Sequence, residues 1–264
     1  MKMPTEDGRF NLLSLNPSVA LHSIAEALKD PALYEKATLI SSPKPNDLQK
    51  QGIVKMYLQF EQVDKALEWL DSPWDSQRSG DRLRLFDKAY CLNGDNENLK
   101  QVRYQLYQTL FEYDDFKRYL DILDDTEKQP AREKAIKKAE QADNFSTDVA
   151  MLFALDEAER AQNLVLNNPV DASNCYYSDL LEFAKQFEKK KLSLAEIACY
   201  RHLLLDILAR AKSKSYGHAV RYYKRLTQLD IEIECYGVLE GHDNFLVELQ
   251  AQHGRKRSFW ARLA

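Results

Sequence analysis

The chain has 264 residues, 44% hydrophobic and 30% charged, with a formal net charge of −4, which is enough apolar material for one elongated domain or two compact ones. Eight glycines and eight prolines are too few for the turns of a β-rich protein of this length, and strand-like runs of β-branched residues are absent, so long helices joined by short loops are expected. No apolar run reaches the length of a membrane span, and the overall acidity argues against a dedicated nucleic-acid binder, which is more often basic throughout.

The amino-terminal residues Met1 to Gly8 are polar and lack the apolar stretch of a signal peptide, which points to a cytoplasmic protein. Helix punctuation then recurs along the chain. Asn16-Pro17 and Asp30-Pro31 each place a capping side chain before a proline suited to the first helical turn. Asn46 opens a run containing Leu48, Ile53, Tyr57 and Phe60, and Pro73 follows Trp69-Leu70. Further stops are expected at Gly94 after Tyr90, at Pro130 after Leu123 and at Pro169 after Leu164-Val165. The acid pairs Asp114-Asp115 and Asp124-Asp125 fall in predicted turns, where they cap. Ser193 and Glu196 have the spacing of a capping box, and the helix they open places Ile197, Tyr200, Leu203, Leu204, Ile207 and Leu208 on one face. About a dozen helices result, and their short connections favour antiparallel hairpins.

Tyr57 and Ala66 are nine residues apart, as are Tyr90 and Leu99, and the second pair follows the first by 33 residues. That interval is close to the period of about 34 in tetratricopeptide-like repeats, in which a large residue of one helix packs on a small residue of the next. The segments Val63 to Leu70, Glu157 to Leu164 and His218 to Leu226 read as three irregularly spaced versions of one second helix, with Ala66 and Ala219 as the small residues. The expected fold is all-α: a degenerate tetratricopeptide-like α-solenoid.

Several motifs carry a family resemblance: Tyr90-x3-Gly94 with the run to Phe111, Asp115-Phe116-x2-Tyr119-Leu120, and Tyr200-Arg201-x-Leu203-Leu204. They continue in Ser213-Lys214-x-Tyr216-x-His218-Ala219-x-Arg221-Tyr222 and in His253-x-Arg255-Lys256-x2-Phe259-Trp260. From about Asp81 on, the chain resembles an uncharacterised bacterial helical-repeat family that is also similar to the helical region after the zinc finger in bacterial SWIM-type zinc-finger proteins. The Cys-x-Cys and Cys-x-His of those zinc fingers are absent, so the resemblance implies a fold without a zinc site. Residues 1–80 are read as a divergent amino-terminal helical segment and residues 81–264 as a helical-repeat domain continuous with it.

Cys91, Cys175, Cys199 and Cys235 are dispersed with no Cys-x-x-Cys pair, and buried free thiols are expected. The five histidines show no metal-ligand spacing, and neither a phosphate loop nor a nucleophile elbow is present, so no cofactor, metal or catalytic activity is expected. The charge is segregated. Between Lys189 and Arg225 ten basic residues stand against Glu196 and Asp206, and residues 1–188 carry a net −10. Arg210, Lys212, Lys214, Arg221 and Arg225 interleave with Tyr216, His218 and Tyr222, and the terminus adds His253, Arg255, Lys256, Arg257 and Trp260. These residues form the candidate binding surface. His218, on the first turn of a helix, suits either an anion or a turn lock made with Tyr216, and the lock is preferred. The functional expectation is a non-catalytic scaffold that holds a protein or peptide in the solenoid groove. The alternative is a nucleic-acid accessory protein that uses the basic face.

Overall fold

Where the sequence places a capping side chain, a helix begins. Asp30 accepts the N–H of Leu33 at 3.0 Å with Pro31 at the first helical position, and Asn46 and Gln49 form a reciprocal capping box at 3.0 and 2.9 Å. The computed structural model describes residues 17–75 and 79–263; Asn16 and the amino-terminal residues lie outside them. Among the described residues there are sixteen α-helices and no strand, and no helix is long and apolar enough to cross a membrane.

The chain divides into two units, the first ending at Leu110 and the second starting at Phe111. The first holds α1 (Pro17–Leu28), α2 (Pro31–Ser41), α3 (Asp47–Gln59), α4 (Val63–Leu70), α5 (Ser79–Asn93) and α6 (Asn96–Leu110). Connections of two or three residues fold α1 onto α2, α3 onto α4 and α5 onto α6, and each of these hairpins also packs on the next. The core joins Ile53, Val54, Tyr57 and Leu58 of α3 to Ala66 and Leu70 of α4 and to Leu85 and Ala89 of α5. Ala66 and Ala89 are fully buried, and their lack of bulk lets the helix axes approach. Residues 81–110 thus pack with the helices that precede them.

The second unit holds α7 (Tyr113–Asp121), α8 (Asp125–Ala139), α9 (Phe145–Ala154), α10 (Ala158–Asn167), α11 (Pro169–Asn174), α12 (Tyr177–Lys190) and α13 (Ser193–Ala209). A 3-10 turn at Ser213–Ser215 then leads into α14 (Tyr216–Glu232), α15 (His242–His253) and the single turn α16 (Arg257–Trp260). Helix α13 is central and packs against α10, α11, α12, α14 and α15. The expected face of Ile197, Tyr200, Leu203, Leu204, Ile207 and Leu208 is buried, but so are Ala195, Glu196, Ala198, Cys199 and Arg201. An expectation of one apolar face therefore gives way to a helix buried over most of its circumference, with His202, Leu205, Asp206 and Ala209 left on a partly open face.

Other expectations need correction. Ser193 is the first helical residue rather than the cap; Leu192 stands before it with no polar side-chain atom to cap the helix, and Glu196 is committed to Arg225. Pro130 does not end a helix but lies within α8, whose start is fixed by Asp124, with Glu127 accepting the Asp124 N–H at 3.3 Å. Pro169 both follows α10 and opens α11. Asp114 and Asp115 lie in the first turn of α7 rather than in the connection, where they favour the positive end of the helix dipole. Of the cysteines only Cys199 is buried; Cys175 is half-buried, and Cys91 and Cys235 are exposed.

Helix ends show a recurrent device. Gly94, after α5, has φ +68, as expected of the glycine in that turn, and Asp95 N–H returns to Tyr90 O at 3.0 Å. The same left-handed closure occurs at Lys29, Glu61, Asp156 and Lys191, with returning bonds of 2.8 to 3.0 Å from the next residue's N–H. A side chain in that conformation is strained by the approach of Cβ to the carbonyl oxygen. Lys191 is exposed with φ 58, so Lys191→Gly is expected to raise stability by about 0.5–1 kcal/mol, read as a higher urea midpoint at unchanged slope.

Asp148 of α9 is 2% exposed and accepts the N–H of Asn144 at 2.8 Å. Burial raises its pKa to about 6, against the opposing effect of that hydrogen bond. The native state therefore holds a proton that the unfolded chain releases near pH 4, and stability falls as pH rises through that window. Asp148→Asn keeps the acceptor and removes the charge. Its advantage over the parent is expected to be near zero at pH 4 and to grow to about 2 kcal/mol above pH 6, measured by urea unfolding across that range.

Candidate functional site

The basic segment and the terminus do meet. Phe259 is fully buried against the rings of Tyr216 and Tyr223 at centroid distances of 6.1 and 6.2 Å, and the Trp260 indole N–H donates to His253 O at 3.0 Å. α16 is thus an ordered turn docked on α14, held by aromatic area. The same packing withdraws the aromatics from the surface. Tyr216 is 3% exposed, Tyr222 is 6% exposed with its hydroxyl 2.5 Å from that of Tyr177, and Trp260 is half-buried.

The cations divide differently. Arg210, Lys212, Lys214, Arg221, Arg255 and Arg257 are exposed, whereas His253 and Lys256 are half-buried. Arg210 is paired with Asp206 at 2.7 Å, one turn earlier on α13. Arg221 donates to Nδ1 of the exposed His218 at 2.7 Å, so His218 faces outward while the buried Tyr216 forms the turn. Tyr177, Asp206, Arg210, Lys212, Ser215 and His218 line a cleft of about 240 Å³ where α13 turns into α14.

Arg225 does not belong to the exposed face. Its Nε and Nη2 donate to the two carboxylate oxygens of Glu196 at 2.6 and 3.1 Å, and Glu188 lies 3.5 Å from Nη2. Glu196 is 1% exposed; burial raises its pKa, and the arginine opposes that shift. The glutamate whose spacing reads as part of a capping box in fact forms an ion pair between a buried carboxylate and a half-buried arginine. Removing one partner strands the other charge, so Arg225→Met is expected to cost about 3–5 kcal/mol, and the double variant with Glu196→Met is expected to recover much of it. Urea unfolding of the four-member cycle measures both.

A larger concavity lies in the first unit, where sequence reading placed no site. Trp74, Arg82, Leu83, Phe86, Tyr90, Asn98, Gln101 and Gln105 are among the residues that line a groove of about 470 Å³ along α5 and α6. Arg82, Phe86 and Tyr90 recur every four residues on α5, one helical turn apart. Phe86 and Tyr90 stack at 5.6 Å, and the Arg82 guanidinium lies 5.3 Å from the Phe86 ring while its Nε donates to Leu70 O at 2.8 Å. The Trp74 indole N–H is held by Trp69 O at 3.1 Å. Asn98, Gln101 and Gln105 follow on the facing side of α6, with Gln101 and Gln105 exposed. The available signal was the spacing of aromatics on α5 and carboxamides on α6, which reads equally as ordinary helix surface until the hairpin is closed.

The Family of unknown function (DUF6880) matches residues 17–262, and the chain belongs to that family. No curated protein and no solved structure matches the chain.

Proposed function

We propose that this member of the family is a non-catalytic interaction scaffold whose groove on α5 and α6 holds an extended peptide segment of a protein partner. The reading treats the hairpins of the first unit as degenerate tetratricopeptide-like repeats of an α-solenoid, akin to the helical region that follows the zinc finger in SWIM-type proteins. It is supported by the serial packing of α1–α2, α3–α4 and α5–α6, by the buried Tyr57 and Ala66 at one crossing, and by Gly94 between Tyr90 and Leu99 at the next.

The observation that carries the proposal is the lining of the groove. A bound peptide exposes both N–H and C=O groups, and a carboxamide answers both, with two N–H donors and a carbonyl acceptor on one neutral side chain. Asn98, Gln101 and Gln105 provide these from α6, while Trp74, Phe86 and Tyr90 offer ring faces for the peptide's own side chains. Selection of a random twelve-residue display library on the protein should enrich sequences with a shared apolar anchor. Their affinity should fall about tenfold or more in the variant combining Phe86→Ala with Gln101→Ala, with helicity retained. Peptides that bind this variant as tightly as the parent would place the partner elsewhere.

A second reading, contact of the carboxy-terminal cations with nucleic acid, draws on the exposed Arg210, Lys212, Lys214, Arg221, Arg255 and Arg257. Burial of Tyr216, Tyr222 and Phe259 removes most of the ring faces on which unpaired bases stack, leaving the half-buried Tyr223 and Trp260, so phosphate contact carries this reading.

A further inference from the structure

A second buried charge on α13 has no counterpart to Arg225. Arg201 is 6% exposed, and its guanidinium lies 4.5 Å from the Phe245 ring and 5.4 Å from the Tyr236 ring. Nη1 donates to Glu240 O at 2.9 Å, but Nε and Nη2, both buried, make no hydrogen bond within the protein. Those two atoms form the edge of the guanidinium that grips two oxygens at once. Beside it His242, 5% exposed and 6.5 Å from Phe245 between ring centroids, has both ring nitrogens buried without a hydrogen-bond partner.

An arginine stays charged even when burial lowers its pKa, as it does here. Phe245 and Tyr236 answer that charge with ring faces alone, and the Tyr236 hydroxyl donates its own proton to Asp230 at 2.6 Å. The acids near the cluster, Asp230 on α14, Glu240 before α15 and Asp243 in its first turn, act on Arg201 or His242 through the field rather than by contact. Four polar atoms on two side chains, each more than nine-tenths buried and both near the Phe245 ring, thus lack protein partners. Such groups are seldom left alone in a folded protein.

We propose that Arg201 and His242 form a binding site for a small carboxylate anion of formate or acetate size, gripped by Nε and Nη2 of the arginine and by an N–H of the neutral imidazole. A planar carboxylate fits the two-pronged edge and neutralises the buried cation, and enclosure of the donors limits the ligand to a few atoms. Entry is by way of the covering segment 233–241. No side chain in it is fully buried, Val238 is 70% exposed, and Gly237 turns the backbone at φ 57. The site is independent of the peptide groove.

Sodium formate and sodium acetate, titrated against sodium chloride at matched ionic strength, test the site by two readouts. The melting temperature should rise saturably by several degrees with the carboxylates and not with chloride, and the response should weaken about tenfold or vanish in Arg201→Lys, which cannot present two parallel donors. Because that variant removes a buried group, the parent protein labelled with nitrogen-15 arginine provides the second readout: the Arg201 Nε–H resonance should move with acetate and saturate. Absence of that movement, an equal movement with chloride, or ordered water at Nε and Nη2 in crystals grown with acetate would overturn the proposal.

Discussion

The second unit depends on how α13 can be buried over most of its surface while carrying charge. An apolar helix in that position would pack by shape alone, but Glu196 and Arg201 each impose a condition on a neighbour. Glu196 requires the bidentate arginine of α14, which fixes the register of α14 against α13 at one point. Arg201 requires the segment leading into α15 to supply a carbonyl and ring faces. Breaking Glu196 away from its arginine costs more than the pair contributes, so that residue specifies arrangement more than it adds stability. Tyr200, next to Arg201, extends the same logic by packing on Tyr222, whose hydroxyl meets Tyr177 and so joins α12, α13 and α14.

The first unit is organised differently. Its core is carried by contacts between consecutive hairpins, and small residues such as Ala66 and Ala89 lie where helices approach. Contacts of that local kind need little loop closure, whereas α13 gathers partners from α10 to α15 across long separations in sequence. The two units thus represent two ways of burying helices: one by nearest neighbours in series, the other around a single enclosed helix.

Much of the all-helical architecture was legible because its signals are local. Caps at Asp30 and Asn46, the proline at the start of α2 and the left-handed glycine at Gly94 each depend on residues within one turn. The errors share a physical origin. Ser193 and Glu196 have the right spacing for a cap, but a partner 29 residues away on α14 competes for the carboxylate and wins. Pro130 lies past the first turn of α8, yet the helix started by the cap at Asp124 runs through it to Ala139, so tertiary structure accommodates a residue that local rules read as a stop. For the candidate surface, composition identified which cations cluster but not which way the side chains turn. Tyr216 and Tyr222 have the helical spacing of a buried face, Arg225 was lost to Glu196, and the groove on α5 and α6 exists only once two unremarkable helix surfaces are brought together.

The exposed cations around the turn from α13 to α14 also bear on kinetics. With Arg210, Lys212, Lys214 and Arg221 outside and the acids of residues 226–251 following them along the chain, the second unit carries an uneven field. Such a field acts before contact, turning an approaching anionic body as it diffuses and raising the frequency of productive collisions without lengthening the life of the complex. Added salt should therefore slow the approach of a negatively charged partner far more than it hastens its departure.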